Sequence, residues 1–167
     1  IASCSLNPRS RSRILARKAE ERLNERGIET SFVDLREANL PFCDGDSAYA
    51  TEPAQQVAKQ IQDADAILLA VPIYNFDVNA ACKNLIELTG TAWKDKVVGF
   101  LCAAGGKTSY MGPLKIANSL MLDFRTIIVP RFVYAEGADF REDVVASEQV
   151  LMRIEEVTSS LVRLAEA

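Results

Sequence analysis

The sequence predicts an α/β fold in which five parallel strands form one open, doubly wound sheet, ordered 2-1-3-4-5, with helices on both faces. Three observations carry this. Short β-branched runs alternate with amphipathic segments of helical spacing along the chain. The run Ile67-Leu68-Leu69-Ala70-Val71 is apolar at every position, as a strand covered on both faces requires. The segments between successive runs are long enough to hold a crossover helix.

The first strand is Ile1 to Ser3, read as the tail of a longer one. A helix follows from Ser10 to Arg26 with Leu15, Ala19 and Leu23 on one face, and Gly27 stands where a left-handed cap is cheapest. Strand two is Thr30 to Asp34. Leu35 to Glu52 is one long connection, read as a surface loop from Pro41, Gly45 and its acidic side chains, and connections of that length are often functional. Pro53 opens the second helix, Pro53 to Asp63, where its missing N–H is no loss, and Val57 and Ile61 face inward. Strands three and four are Ala66 to Val71 and Val97 to Cys102, joined by a helix over Asn79 to Leu88. A helix over Pro113 to Leu122 leads to strand five, Thr126 to Tyr134. The last helix is read as Glu142 to Ala165, with Val150, Ile154, Val157, Leu161 and Leu164 along one stripe. No linker, repeat or composition shift interrupts the chain, so residues 1–167 read as a single domain.

Composition narrows the chemistry. The chain is 49% hydrophobic and 25% charged, an ordinary globular balance. With 19 Lys and Arg against 23 Asp and Glu, the net charge of −4 gives no basic field, so nucleic acid is not an expected partner. No apolar stretch approaches the roughly 18–20 residues of a membrane span, so no membrane is expected either. There is no histidine, which removes Ser-His-Asp and Cys-His nucleophile pairs and every His-ligated metal site. Cys4, Cys43, Cys82 and Cys102 form no Cys-x-x-Cys pair, so no metal site is expected, and scattered thiols suit a reducing cytoplasm. Nothing at the start resembles a signal peptide.

In a sheet of order 2-1-3-4-5, ligands bind beyond the carboxyl ends of strands one and three. Three loops border that crevice. The first, Ser3 to Arg13, gathers Ser5, Asn7, Ser10 and Ser12 with Arg9, Arg11 and Arg13 at the mouth of a helix, where unpaired amides and the macrodipole favour a phosphate. Ser10 or Ser12 also serves as a helix N-cap, and the arginines equally describe a solvated face. The second loop offers Pro72, Tyr74, Asn75 and Phe76, apolar walls and edge donors for a planar ring, or simply aromatics that close the core. In the third, Ala103, Ala104, Gly105 and Gly106 let backbone amides approach a ligand edge. The dinucleotide pattern G-x-G-x-x-G is absent. Gly105-Gly106-Lys107-Thr108 is no P-loop, since Leu101 stands where that motif needs glycine. Phosphate donors, ring walls and close backbone together describe a mononucleotide with a flat base, for which FMN is the natural candidate.

At these residues the chain resembles the NADPH-dependent FMN reductase family of flavodoxin-like proteins, which includes flavin, quinone, azo-dye and chromate reductases. The family's Gly-Ser-x-Arg-x-x-Ser opening aligns with Cys4-Ser5-Leu6-Asn7-Pro8-Arg9-Ser10, and its Pro-Glu-Tyr-Asn motif with Pro72-Ile73-Tyr74-Asn75. The Leu-Lys-Asn-Ala-Ile-Asp stretch aligns with Cys82-Lys83-Asn84-Leu85-Ile86-Glu87, and Leu40-Pro41-Phe42-Cys43-Asp44 also matches. Three positions depart from the pattern: Cys4 replaces glycine, Asn7 replaces arginine and Ile73 replaces glutamate. The resemblance implies phosphate contacts at Ser5, Asn7, Ser10 and Ser12, with Arg9 or Arg11 restoring positive charge, and ring contacts at Pro72, Tyr74, Asn75 and Ala103 to Gly106. It further implies NADPH or NADH as co-substrate and a small-molecule electron acceptor. Relatives of this kind form homodimers or homotetramers, for which Trp93, Phe42 and the Asn79 to Leu88 helix are candidate interface.

The expected activity is transfer of hydride from a nicotinamide to FMN and on to a flavin, quinone or similar acceptor. That chemistry belongs to the cofactor, so no catalytic side chain is needed and the missing histidines are consistent with it. Two alternatives remain open: a flavodoxin-like electron carrier that needs a partner reductase, and a flavodoxin-like domain that has lost its flavin.

Overall fold

In the computed structural model, which describes residues 1–167, the sheet is built outward from its two longest strands, β3 (Ala66–Tyr74) and β5 (Val97–Ala103). They pair in parallel from Ala66↔Val97 to Pro72↔Ala103. On the other side of β3 lie β1 (Ala2–Ser3) and then β2 (Val33–Asp34), both parallel. Beyond β5 run β6 (Ile127–Ile128) and β7 (Val133–Ala135), each paired in parallel with β5. Counting β6 and β7 as halves of one strand, the order is the expected 2-1-3-4-5.

The expected fifth strand, Thr126 to Tyr134, is broken at its middle. Pro130 has no N–H to give the ladder and Arg131 sits at φ +62, so the chain steps out of the sheet before β7 resumes. The third strand runs past Val71 to Tyr74. There it turns back on itself through Asn75 and Phe76 into β4 (Asp77–Val78), which pairs antiparallel with its end.

Helices α1 (Arg11–Glu25) and α5 (Glu148–Ala165) cover one face of the sheet, and α2 (Glu52–Asp63), α3 (Ala80–Thr89) and α4 (Leu114–Phe124) the other. On the first face Leu15, Ala19 and Leu23 meet Val150, Ile154, Val157 and Leu161, all buried. Burying Leu15 or Ile154 completely contributes about 1.5–3 kcal/mol each. Gly27 ends α1 at φ +74 with its amide on the Asn24 carbonyl at 2.9 Å and the Ile28 amide on Leu23 at 3.0 Å, the left-handed cap the sequence suggests.

Two expectations are corrected on these faces. The last helix does not begin at Glu142: β8 (Phe140–Arg141) and β9 (Val144–Val145) form a hairpin around Glu142, which stands at φ +52. Adjacent β-branched Val144 and Val145 favour strand, and the helix starts only where Ser147 caps it by accepting from the Val150 amide at 3.4 Å. Trp93 is not an interface residue. It is fully buried, and its indole N–H donates to Thr89 Oγ1 at 2.7 Å, whose hydroxyl in turn donates to the Leu85 carbonyl. Phe42 is 85% exposed.

The long connection from Leu35 to Glu52 is ordered by side chains. Asp44 accepts from the amides of Asp46 and Ala48 and from the Ser47 hydroxyl, closing a 3-10 turn over Ser47–Ala50. Those three donors hold the Asp44 carboxyl down at about 2. Asn84 of α3 fastens the loop, giving Nδ2 to the Pro41 carbonyl and taking the Cys43 amide on Oδ1, each at 2.8 Å. A cavity of about 570 Å³ lies at the amino ends of the strands, among Ile1, Ile28, Val33, Ile67 and Leu161. No helix is long and apolar enough to cross a membrane.

Candidate functional site

The first, second and third crevice loops leave the carboxyl ends of β1, β3 and β5, which are adjacent in the sheet. Ser3 pairs with Ala70 and Pro72 with Ala103, so the three strand ends stand side by side. The sequence-chosen residues are therefore brought to one edge of the sheet.

In the first loop Ser5, Ser10 and Ser12 are buried and Asn7 and Arg9 exposed. Ser10 is the N-cap of α1, accepting from the Arg13 amide at 3.2 Å, and its hydroxyl lies 3.0 Å from that of Ser12. The loop is folded by its own side chains: Ser5 Oγ accepts from the Asn7 amide and Asn7 Oδ1 from the Arg9 amide. The amides of Arg11 and Ser12, the first two of the helix, have no protein acceptor.

The three arginines divide their roles. Arg13 is committed to Asp34 of β2, Nε to Oδ2 at 2.6 Å and Nη2 to Oδ1 at 3.0 Å. The same guanidinium reaches the carbonyls of Ser5, Asn7 and Pro8 at 3.3–3.4 Å, so it clasps the first loop to the sheet. Arg11 lies over the Phe140 ring at 5.9 Å. Neither Arg9 nor Arg11 enters an ion pair. Hairpin β8–β9 flanks this loop, and Asp143 and Val145 share a cleft of about 470 Å³ with Arg9, Ser10 and Arg13.

The second loop is the turn between β3 and β4. Asn75 and Phe76 have φ of +51 and +62, the two left-handed residues of a type I′ turn. Left-handed backbone at a residue such as Phe76 costs about 1–2 kcal/mol. Tyr74 and Phe76 are 53% and 59% exposed while Pro72 is buried. Gly112 lies against this turn: a Cβ there would stand 2.8 Å from Ile73 Cγ2 and 3.0 Å from the Ser109 carbonyl oxygen. In the third loop Ala103 and Ala104 are buried, and a side chain at Gly105 or Gly106 would meet no protein atom within 4 Å. The amides of Asn75, Phe76, Gly105 and Gly106 donate to nothing in the protein.

Three contacts at the site were not read from the sequence. Tyr134 Oη donates to the Gly106 carbonyl at 2.5 Å, and Tyr134 and Phe132 pack against Tyr110 with ring centroids 5.3 and 4.8 Å away. Burial raises the Tyr134 phenol. Asn79 donates from Nδ2 to the Cys4 carbonyl at 2.7 Å, joining the first loop to the start of α3. The third is the Arg13–Asp34 clasp, for which opposite charges were visible but their pairing was not. Cys4, Cys82 and Cys102 are buried side by side in the core below the crevice. The Cys4 thiol is pushed up by its contact with the Cys82 thiol and then by burial, and Cys102 by burial, so neither is a thiolate nucleophile.

A family profile described as NADPH-dependent FMN reductase matches residues 1–139. The NAD(P)H-dependent FAD/FMN reductase of Geobacillus thermodenitrificans is 30% identical over 118 residues, 69% of this chain and 63% of that protein. The chain thus spans less than two thirds of that relative. The FMN-dependent NADH:quinone oxidoreductase of Bordetella petrii is 30% identical over 171 aligned positions, 82% of each chain. Among solved structures, the flavoenzyme NAD(P)H:(acceptor) oxidoreductase FerB of Paracoccus denitrificans superposes with a TM-score of 0.80 at 21% identity, covering 99% of this chain and 94% of that one. At that identity the likeness is one of fold. The profile match over most of the chain, with the α/β order and the three converging loops, places the chain in the NADPH-dependent FMN reductase family.

Proposed function

We propose that the chain is an NAD(P)H-dependent FMN oxidoreductase that delivers electrons to a small acceptor, a quinone or a flavin. The observation that carries this is the pairing of a phosphate cradle at the mouth of α1 with four unspent amides around the second and third loops. These residues fit FMN. A dianion at the helix mouth is met by the Ser10 and Ser12 hydroxyls, the free amides of Arg11 and Ser12 and the unpaired Arg9, with Ser5 and Asn7 shaping the loop. A flat ring is met by Tyr74 and Phe76 as walls, with Pro72 behind them, and the open space at Gly105 and Gly106 admits it.

When bound, FMN supplies the redox chemistry, taking hydride from NADPH or NADH and yielding two electrons to the acceptor. The protein's share is binding and electrostatics. The amides of Gly105 and Gly106 serve the ring edge where negative charge grows on reduction, and Tyr134 holds that loop in place. Asn75 offers its amide and side chain at the same edge. No side chain is assigned as acid or base. The free thiols, three of them buried, suit a reducing cytoplasm, and exposed Phe42 offers a surface for a second copy of the chain.

The test is turnover. Purified protein with added FMN should oxidise NADPH or NADH and reduce a quinone in equal amounts, with neither reaction above background when FMN is omitted. Absence of flavin binding together with absence of turnover overturns the proposal.

A further inference from the structure

Three buried side-chain atoms in the protein have no hydrogen-bond partner: Ser3 Oγ, Asn79 Oδ1 and Thr126 Oγ1. A buried polar atom left unpaired is costly and calls for an explanation. Two of the three stand where β1 passes into the first crevice loop, since Ser3 ends β1 and Asn79 is bonded to Cys4, the next residue. Thr126 stands just before β6, on the far side of β5 from β1.

Asn79 is unusual in a second way. It occupies the N-cap position of α3, yet its side chain caps nothing in that helix. Only 8% exposed, it instead spends Nδ2 on the Cys4 carbonyl at 2.7 Å. That bond also settles which atom is which, because a carbonyl demands a donor. Oδ1 is therefore an acceptor held without a donor, at the seam between the first loop and the β3–β4 turn.

We infer that Asn79 is a binding residue for the polyol chain of the flavin, its Oδ1 accepting from a ribityl hydroxyl. The inference rests on the FMN reading above. A phosphate at the mouth of α1 and a ring between the second and third loops leave the polyol to pass this seam. The chemistry selects it as well: an orphaned acceptor needs a donor, and a phosphate dianion and the ring carbonyls offer none. The polyol hydroxyls do, and the ring N3–H is the one competing donor.

Two ligands separate these cases, FMN and lumiflavin, which keeps the ring and N3–H but has no hydroxyls. Fluorescence titrations of both are made with wild-type protein, Asn79→Ala and Asn79→Ser, the serine variant retaining a hydroxyl for the Cys4 carbonyl. The expected result is a loss of about tenfold in FMN affinity in each variant, with lumiflavin affinity changed less than twofold. Riboflavin, which has the polyol but no phosphate, separates the contact from a loosened phosphate loop, since it should lose affinity as FMN does if Asn79 meets the polyol. Equal losses for FMN and lumiflavin, a loss for FMN that riboflavin does not share, or none for FMN, overturn the role of Asn79. Wild-type protein that binds neither flavin overturns the FMN reading itself, and the inference with it.

Discussion

Arg13 is the sharpest point at which the structure assigns a role different from the one its neighbourhood suggests. It sits among the residues of a phosphate loop, but its guanidinium is committed to Asp34 by two short hydrogen bonds and to three loop carbonyls. Replacing it with alanine strands the Asp34 carboxylate, whose side chain is 12% exposed against 17% for Arg13. Breaking a fully buried pair from one side costs about 3–5 kcal/mol, and the residual exposure here reduces that to about 2–3 kcal/mol. At about 2–4 °C per kcal/mol for a chain of this size, Tm falls by about 4–12 °C. Removing both partners leaves no unpaired charge, so Arg13→Ala with Asp34→Ala should be less destabilising than the sum of the single changes by about 1–2 kcal/mol. Arg9→Ala, by contrast, should change stability by less than about 0.5 kcal/mol. It should weaken FMN in a salt-dependent way. Thermal and urea unfolding of the four variants, with FMN titrations at two salt concentrations, read all of this. An Arg13→Ala protein as stable as wild type, or an Arg9→Ala protein equally destabilised, refutes the division of labour between the two arginines.

Other outcomes follow from the same geometry. Ser10→Asp keeps an N-cap acceptor for the Arg13 amide but sets a carboxylate against the phosphate, so FMN affinity should fall by about a hundredfold or more while riboflavin binding is unchanged; equal effects on both ligands would place the phosphate elsewhere. Asp44 is held down at about 2 by its three donors, so the stability it gives is complete above its unfolded value of 3.8 and lost as pH falls through about 2. A carboxyl titration by NMR should show that low midpoint, and one near 4 contradicts the ordered turn at Ser47–Ala50. Thiol labelling of native protein should modify Cys43 alone, since the other three are buried, with all four reacting after unfolding; labelling of Cys102 in native protein would contradict its burial.

Much of the fold was legible because it rests on local periodicity. The uniformly apolar run at Ile67–Val71 has the pattern that a central parallel strand requires, and Gly27 marks the end of α1 by its residue type alone. Local pattern also misled. Val150 to Leu164 form a helical stripe whose periodicity does not reveal its start, so the pattern alone extends the helix back over Glu142 to Val145, the second half of the hairpin. Pro130 in strand five and Trp93 after α3 have meanings set by their surroundings, an interrupted edge and a packed core. At the site, topology points to the three loops but not to their fastenings. Asn79 reaches Cys4 across 75 positions, Tyr134 reaches Gly106 across 28 and Arg13 reaches Asp34 across 21. Such pairs depend on the folded arrangement of strands, and no spacing rule along the chain encodes them. Asn84 came closest, since it lies within the Cys82–Glu87 stretch that carries the family resemblance, yet its work is to staple Pro41 and Cys43.

The central claim is that this crevice holds FMN so that a nicotinamide can reduce it directly. Anaerobic titration of the FMN-reconstituted protein with NADPH and with NADH, followed at the absorbance band of the oxidised flavin, tests that claim most directly. Bleaching of the band by one equivalent of at least one nucleotide is the predicted result. A bound flavin that dithionite reduces and neither nucleotide does would instead describe an electron carrier, and a protein that retains no flavin would contradict the account at its base.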